Sequence, residues 1–280
     1  MKVVVSLSEL NQARAKLPSP VGLVPTMGFL HEGHLSLVRA ARADCASVVV
    51  SIFVNPTQFG PSEDLSRYPR DLPRDLEMLE SEKVDLVWTP TVEEMYPPGF
   101  QTWVTVDEIT QPLEGSMRPG HFRGVATVVA KLFNAVQPDK AYFGQKDAQQ
   151  AAVIRRMSRD LNFKLDVVVC PIWREPDGLA MSSRNIYLDA AERRAATILS
   201  KALTAAQAAY TAGEREAENL RQVMTHTIQS EPLARLQYVS CANSETLEEI
   251  QGPIPGKALL SMAVFFGKTR LIDNLVVGGA

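Results

Sequence analysis

Short apolar runs alternate with amphipathic stretches through the first 172 residues of the chain. The runs at 21–24, 47–55, 84–91 and 164–172 are rich in β-branched residues, which is typical of strands buried on both faces. Between them, apolar residues recur three to four apart, the spacing of one helix face. We expect Pro25 to end the first of these strands because proline has no backbone N–H. Strand and helix in alternation predict an α/β fold with a parallel sheet.

The pattern changes after residue 185. Residues 189–213 are Ala-rich and predict a helix that stops at Gly213, and a second helix follows to about residue 230. Residues 236–243 and 257–275 then have the pattern of strands. Helices followed by strands predict a smaller α+β domain. We therefore expect two domains, at residues 1–178 and 179–280.

Composition narrows the class of protein. The chain has 280 residues, 45% of them hydrophobic, and a formal net charge of -3, so no basic field for nucleic acid is expected. The N-terminal apolar run is interrupted by Ser6, Ser8 and Glu9 before it reaches the length of a signal or membrane segment. In the same segment we expect Ser8 to cap a short helix. Three cysteines, an odd number, argue against a disulfide framework and for the cytoplasm.

The stretch from Val24 to His34 carries the strongest chemical signal. Gly28 and Gly33 allow a tight turn and a close approach of the backbone to a ligand. His31 and His34 are three residues apart at the predicted start of a helix, so they project from nearly the same face. Helix N-termini attract phosphate, and two imidazoles beside one strengthen that attraction.

Three interpretations of this stretch compete. The two histidines are polar residues at an ordinary helix start, or metal ligands, or phosphate contacts. The segment HEGH is one residue shorter than the H-E-x-x-H zinc motif, and Cys45, Cys170 and Cys241 form no C-x-x-C pair. The pattern H-x-G-H after a first strand is instead a mark of nucleotidyltransferases, which bind nucleoside triphosphates.

Polar groups also follow later strands. Gln58 lies in the loop 55–59, where the carboxyl end of a parallel strand presents ligand-binding groups, although an exposed loop amide is the slightly favoured explanation without further support. Arg118 lies in a Gly- and Pro-rich turn, where a basic group can contact phosphate or a carboxylate, although a solvated loop charge is the commoner case. Lys146 and Asp147 lie at the tip of a turn at Gly144, between an apolar strand and a helix.

The loop 173–185 contains a run of hydroxyl and guanidinium donors. Ser182, Ser183 and Arg184 can together donate to several phosphate oxygens, although Ser183 is also a suitable turn cap.

Five motifs now point to one family. PTMGFLHEGH, FVNPTQF, RPGHFRGV, YFGQKDAQQ and MSSRN, in this order, closely resemble the pantothenate synthetase family of pantoate and β-alanine ligases, which is related to the HIGH-motif nucleotidyltransferases. The resemblance implies a Rossmann-like parallel-sheet catalytic domain that binds ATP and pantoate, a smaller α+β C-terminal lid domain, and a homodimer. It also implies that MSSR plays the part of a mobile phosphate-binding loop.

The same resemblance implies a reaction and its ligands. Pantoate is adenylated by ATP with release of pyrophosphate, and β-alanine then displaces AMP to form pantothenate, with Mg²⁺ accompanying the triphosphate. Small molecules are therefore the expected partners, with no nucleic acid and no membrane.

Site residues follow from the matched motifs. The implied catalytic groups are His31, His34, Lys146, Ser182, Ser183 and Arg184, which also contact ATP. The rest of the implied nucleotide site is Met27, Gly28, Gly33, Gly144, Asp147, Trp173 and Met181. Gln58 and Gln150 match the pair that holds pantoate, and Gln58 also lies near β-alanine. Asp75 is the candidate ligand of Mg²⁺, because Arg74 stands where family members have a second acidic residue; water and phosphate oxygens are the alternative shell.

Three alternative functions keep some support. A coenzyme-forming adenylyltransferase shares H-x-G-H but leaves AMP on its product. A nucleotide-binding regulator would keep the same residues without turnover. A metal hydrolase would use the HEGH segment.

Overall fold

The computed structural model describes residues 1–60, 63 and 65–278, and these fall into two compact units. Unit 1 comprises residues 1–144 and 150–171, and unit 2 comprises residues 145–149 and 172–280. The predicted boundary at residue 178 therefore lies inside unit 2. Each unit has its own hydrophobic core.

Unit 1 contains the predicted parallel sheet. Its six described strands are β1 (Lys2–Val4), β2 (Val21–Thr26), β3 (Ser47–Ile52), β4 (Leu86–Trp88), β5 (Lys140–Gly144) and β6 (Asp166–Cys170). They lie in the order β1-β4-β3-β2-β5-β6, and every pair is parallel. The predicted α/β class is confirmed.

Helices connect these strands. They are α1 (Leu7–Arg14), α2 (Glu32–Asp44), α3 (Leu72–Ser81), α4 (Val92–Met95), α5 (Glu114–Met117), α6 (His121–Val136) and α7 (Ala148–Asp160). They cover both faces of the sheet, as two consecutive residues of β2 show. Leu23 packs in a core cluster with residues of α1 and α6, whereas Val24 packs with residues of α2 and α3. Both side chains are fully buried, which explains why the strand is apolar at consecutive positions.

Strand β2 continues one residue beyond Pro25, so the expected stop at that proline is wrong. The backbone of Val21 bonds Asp139 on the β5 side, and strand alternation turns Pro25 to the same side. The pairing with β5 extends only to Leu23. The missing N–H of Pro25 therefore removes no rung of the sheet.

Two local predictions in unit 1 are also wrong. Helix α1 is capped by Ser6 and not by Ser8: the Ser6 side chain accepts from the Glu9 N–H, and the Glu9 carboxylate accepts from the Ser6 N–H. This reciprocal pair is the S-x-x-E capping box. The sequence also predicts a short extra strand at residues 103–106, but the structure describes no strand at these residues.

Unit 2 is the α+β domain that the C-terminal pattern predicts. The elements are α8 (Ala190–Ala195), α9 (Ile198–Thr211), α10 (Ala217–Gln229), β7 (Ala234–Asn243), β8 (Ala258–Phe266) and β9 (Thr269–Val277). Helices α9 and α10 pack with the antiparallel sheet β7-β8-β9 around fully buried side chains such as Leu220 and Met262. The expected helix at 189–213 is two helices, because i to i-3 hydrogen bonds at Thr197 and Leu199 interrupt it.

Among the described residues, no helix is long and apolar enough to cross a membrane. The cysteines Cys45, Cys170 and Cys241 are buried free thiols.

Candidate active site

The carboxyl ends of β2 and β5 define the candidate site of unit 1. The chain builds the sheet from β2 toward β3 and β4, and then returns to place β5 on the other side of β2. Ligands of open α/β sheets bind where the order reverses in this way. The segment after Thr26 and the residue Gly144 lie at this edge, so two of the five sequence motifs meet at adjacent strand ends.

Two imidazoles lie at the start of α2. The ring centroids of His31 and His34 are 4.0 Å apart, and the backbone N–H of His31 lies 3.4 Å from Nδ1 of His34. His31 is the extended residue that precedes the helix, and Gly33 lies in its first turn. The predicted common face is therefore present, at the N-terminus of a 13-residue helix. That combination suits an anion such as a phosphate.

Gln58 contacts a second predicted site residue. It ends a short 3₁₀ turn at Pro56–Gln58, and its Nε2 lies 3.1 Å from the Met27 sulfur. Its Oε1 accepts a hydrogen bond of 3.1 Å from Nδ2 of Asn55. The structure thus brings together the loop after β2 and the loop after β3. The other predicted pantoate residue, Gln150, is half-buried near the start of α7.

Asn55 is a site residue that sequence reasoning missed. It is 1% exposed, and its amide donates to Gln58 and to the backbone oxygen of Gly124 in α6. Its Oδ1 accepts from the hydroxyls of Thr57 and Tyr96. An asparagine between a buried strand and a proline was the available signal, because such a side chain needs partners for all its polar atoms.

A chain of polar contacts supports the same turn from α6. The Nδ1–H of His121 donates to the Gln58 carbonyl oxygen at 2.8 Å, and its Nε2 lies 3.1 Å from a guanidinium nitrogen of Arg118. Burial and the nearby Arg118 charge lower the pKa of His121 to about 4, so the ring is neutral near pH 7. Arg118 also makes a two-point ion pair with Glu63, at 2.7 and 2.8 Å. Its predicted contact with phosphate stays a prediction.

Asp75 has a different environment from the one a magnesium ligand needs. It is 1% exposed, and its two carboxylate oxygens accept hydrogen bonds of 2.7 Å from the backbone N–H groups of Phe29 and Leu30. Burial raises the pKa of Asp75 above its usual value, opposed by these two hydrogen bonds. A carboxylate enclosed in this way does not fit the hydrated shell of Mg²⁺. In the described part of the chain, no three or more His, Cys, Asp or Glu side chains could hold a metal ion.

In unit 2, Lys146 and Asp147 lie on a short 3₁₀ turn, Gln145–Asp147. Their charged groups are 3.5 Å apart. Asn274 of β9 braces this turn, because its amide donates to the backbone oxygens of Gln145 and Lys146 at 3.0 and 2.9 Å. Asn274 is 3% exposed and was not predicted from the sequence. No local pattern marks it, since it lies far along the chain.

The loop that contains the predicted serines is also braced within unit 2. Arg174 makes a two-point ion pair with the buried Asp273, at 2.6 and 2.9 Å. The Met181 N–H donates to the Trp173 carbonyl oxygen at 3.0 Å. These contacts hold the loop at residues 173–174 and at residue 181, directly before the predicted serines.

The predicted serines and arginine come next in this loop. Ser182 caps the turn Ser183–Tyr187 by accepting from the Arg184 N–H at 3.3 Å, whereas Ser183 is buried. The capping role that the sequence left open for Ser183 therefore belongs to Ser182.

Known proteins resemble the whole chain. The profile of the family described as Pantoate-beta-alanine ligase matches residues 2–276. A pantothenate synthetase of Roseiflexus sp. (strain RS-1) is 62% identical over 277 residues, which cover 99% of each chain. The crystal structure of pantothenate synthetase from Thermus thermophilus superposes with a TM-score of 0.93 at 49% identity, covering 98% of this chain and 99% of that one.

A third relative was crystallised with ligands. The pantoate-beta-alanine ligase from Francisella tularensis, complexed with beta-gamma ATP and beta-alanine, has a TM-score of 0.80 and 33% identity. The match covers 100% of this chain and 99% of that one.

Proposed function

Because this chain belongs to the pantoate–β-alanine ligase family, we propose that it joins pantoate to β-alanine in an ATP-dependent reaction that forms pantothenate. The structural observation that carries the proposal is the pair His31 and His34 at the start of α2, on the sheet edge where the strand order reverses. The sequence match over nearly the whole chain supports the same activity, and so does the relative solved with ATP and β-alanine.

The reaction has two displacements. A carboxylate oxygen of pantoate attacks the α-phosphorus of ATP, the bond to the β-phosphate bridging oxygen breaks, and pyrophosphate leaves. The amine of β-alanine then attacks the acyl carbon of pantoyl adenylate, loses a proton, and AMP leaves with the electron pair of the broken C–O bond. Both steps build negative charge on phosphate oxygens, so fixed donors should supply much of the catalysis.

Unit 1 contributes groups suited to the first displacement. His34 and His31 are the proposed donors to the phosphates, with His34 nearest the bridging oxygen as a proton donor. Gln58 and Gln150 are the proposed pantoate contacts, because a neutral amide bonds hydroxyl and carboxylate groups without acting as a nucleophile. The Asn55 contact holds the Gln58 amide in one orientation.

For unit 2, the proposed phosphate contacts are Lys146, Ser182, Ser183 and Arg184. Asp147 is proposed for the ribose hydroxyls, and Trp173 and Met181 for the adenine side. The bracing by Asn274 and Asp273 supports these assignments, because a contact to phosphate is more effective when its segment is held in place.

Mg²⁺ belongs to the proposal as the ion that neutralises triphosphate charge when bound. Since Asp75 does not fit as its ligand, phosphate oxygens and water are the proposed shell. A homodimer in the cytoplasm is also proposed from the family resemblance, and sedimentation of the purified protein tests the dimer.

Product analysis tests the function. The protein is mixed with ATP, MgCl₂, pantoate and β-alanine, with β-alanine omitted from a parallel sample. Equal amounts of AMP and pantothenate in the complete mixture would establish the ligase. AMP found only as a covalent part of a larger product would indicate an adenylyltransferase, and intact ATP in both samples would indicate a nucleotide-binding protein without turnover.

A further inference from the structure

We infer that Arg74 and Asp75 are positioning residues that hold the turn at residues 28–30 and so determine where His31 and His34 lie. The inference assigns to Asp75 a role other than metal binding. It rests on the proposed function only for its kinetic consequences.

The backbone of this turn has two residues with positive φ angles. Gly28 has a φ of 80° and Phe29 a φ of 49°, both in the left-handed region. Glycine adopts this region freely, but a residue with a side chain does so only when surrounding contacts hold it there. The turn at residues 28–30 is therefore a segment that needs support from elsewhere in the fold.

Asp75 supplies that support from the first turns of α3. Its Oδ2 accepts from the Phe29 N–H and its Oδ1 from the Leu30 N–H, both at 2.7 Å. The distances are those of short, charge-assisted hydrogen bonds. The fit is close, since a Cβ added to Gly28 would lie 3.1 Å from Oδ2 of Asp75.

Arg74 holds the other polar group of the same turn. Its Nη1 donates to the Leu30 carbonyl oxygen at 3.0 Å, and its guanidinium carbon lies 5.4 Å from the centre of the Phe29 ring. Nη1 of Arg74 also lies 3.8 Å from Oδ1 of Asp75. Two adjacent residues of α3 thus bond both the N–H groups and a carbonyl of the turn.

The turn leads directly into the proposed catalytic histidines. Leu30 is followed by His31, the extended residue that precedes α2, and the His31 N–H contacts the ring of His34. A shift of the turn therefore moves both imidazoles. Because a misplacement of about 1 Å at a reacting centre can reduce a rate about 100-fold, support from α3 becomes a catalytic requirement.

The test compares Asp75→Asn with the wild type. The amide has the size of the carboxylate, but one oxygen is replaced by an NH₂ group, so one backbone N–H loses its acceptor. We expect hydrogen exchange of the Phe29 and Leu30 amides, followed by NMR, to become about tenfold faster, the effect of one lost net hydrogen bond. We expect kcat for pantothenate formation to fall about 10- to 100-fold, with smaller changes in KM for ATP and pantoate.

Magnesium dependence separates the inference from the metal-ligand hypothesis. For a positioning residue, the MgCl₂ concentration that gives half the maximal rate stays within about twofold of the wild-type value. A large increase in that concentration, with unchanged exchange at Phe29 and Leu30, would make Asp75 a metal ligand and overturn the inference. Glu77→Gln, an exposed carboxylate on the same helix, is the control and should change none of these quantities.

A second variant, Arg74→Ala, tests the inference if Asp75→Asn does not fold. The side chain of Arg74 is 44% exposed, so Arg74→Ala should fold even where Asp75→Asn does not. We expect faster hydrogen exchange in the turn and a lower kcat for this variant. Unchanged values of both quantities would overturn the inference.

If the wild type forms no pantothenate, the proposed function fails. The exchange measurement needs no substrate and still decides whether α3 holds the turn.

Discussion

The imidazole Nδ1 of His121 lies 2.8 Å from the backbone carbonyl oxygen of Gln58, 63 positions earlier in the sequence. This hydrogen bond ties the first turn of α6 to the loop proposed to hold pantoate. Together with the contact from Asn55, it fixes Gln58 at both its backbone and its side chain.

The first prediction concerns pH and the unfolding free energy. His121 has a pKa of about 4 in the folded protein against 6.5 for an unperturbed histidine, so the unfolded chain binds more protons between these values. Stability from this group is complete above pH 6.5 and is lost as the pH falls toward 4. The pKa difference corresponds to about 3 kcal/mol at most.

Urea unfolding of wild type and His121→Asn at several pH values measures this effect. Asn can still donate to the Gln58 carbonyl but does not titrate, so its stability should fall less between pH 6.5 and 4. The Arg118, Glu63 and Glu114 charges that face the ring remain in both proteins. The exposed His226→Asn is the control, and identical pH slopes for all three proteins would refute the assignment.

The second prediction concerns His34. His34→Ala should lower kcat by about two orders of magnitude, the usual loss for one donor to the transition state, with KM for pantoate little changed. Steady-state rates of AMP release give both constants. The exposed His226→Ala should behave as wild type. A near-normal kcat for His34→Ala would remove this imidazole from the chemistry.

The third prediction concerns Gln58. Gln58→Glu should raise KM for pantoate about fivefold or more, because like charges about 4 Å apart repel by about 1 kcal/mol even in water. KM for ATP serves as the internal reference and should change less. Gln12→Glu, an exposed change of the same kind on α1, is the matched control. An unaltered pantoate KM would place the pocket elsewhere.

The fourth prediction concerns Gly124, which lies in α6 against the Gln58 turn. A Cβ at this position would lie 2.4 Å from the Thr57 carbonyl oxygen, so the backbone must move. Gly124→Ala should destabilise the protein by about 1–3 kcal/mol, although alanine is normally the better helix former.

KM for pantoate should also rise in Gly124→Ala, because the displaced turn contains Gln58. Gly256→Ala, where a Cβ would meet nothing within 4 Å, is the control for both urea unfolding and kinetics. A Gly124→Ala protein that is more stable than wild type would contradict the predicted clash.

The amino-acid sequence by itself determined the fold class and the family. Apolar runs of strand length and helix-spaced patterns depend on local chemistry, and so they predicted the parallel sheet and the C-terminal α+β unit. The histidine spacing also predicted the common face on which His31 and His34 lie. Local errors occurred where a partner element decides the outcome: Pro25 lies inside a strand because its neighbour β5 has ceased to pair there.

Only the tertiary structure decided which side chains support the site. Asn55, His121 and Asn274 bond segments that are distant in sequence or belong to other elements, and no local pattern encodes such contacts. Asp75 shows the same limit most clearly. Its place in the sequence suggested a metal ligand, whereas the packing of α3 against the turn before α2 turns both oxygens toward backbone N–H groups. Long-range contacts of this kind form only when the chain has folded. The sequence could therefore predict the candidate catalytic residues but not the residues that hold them in place.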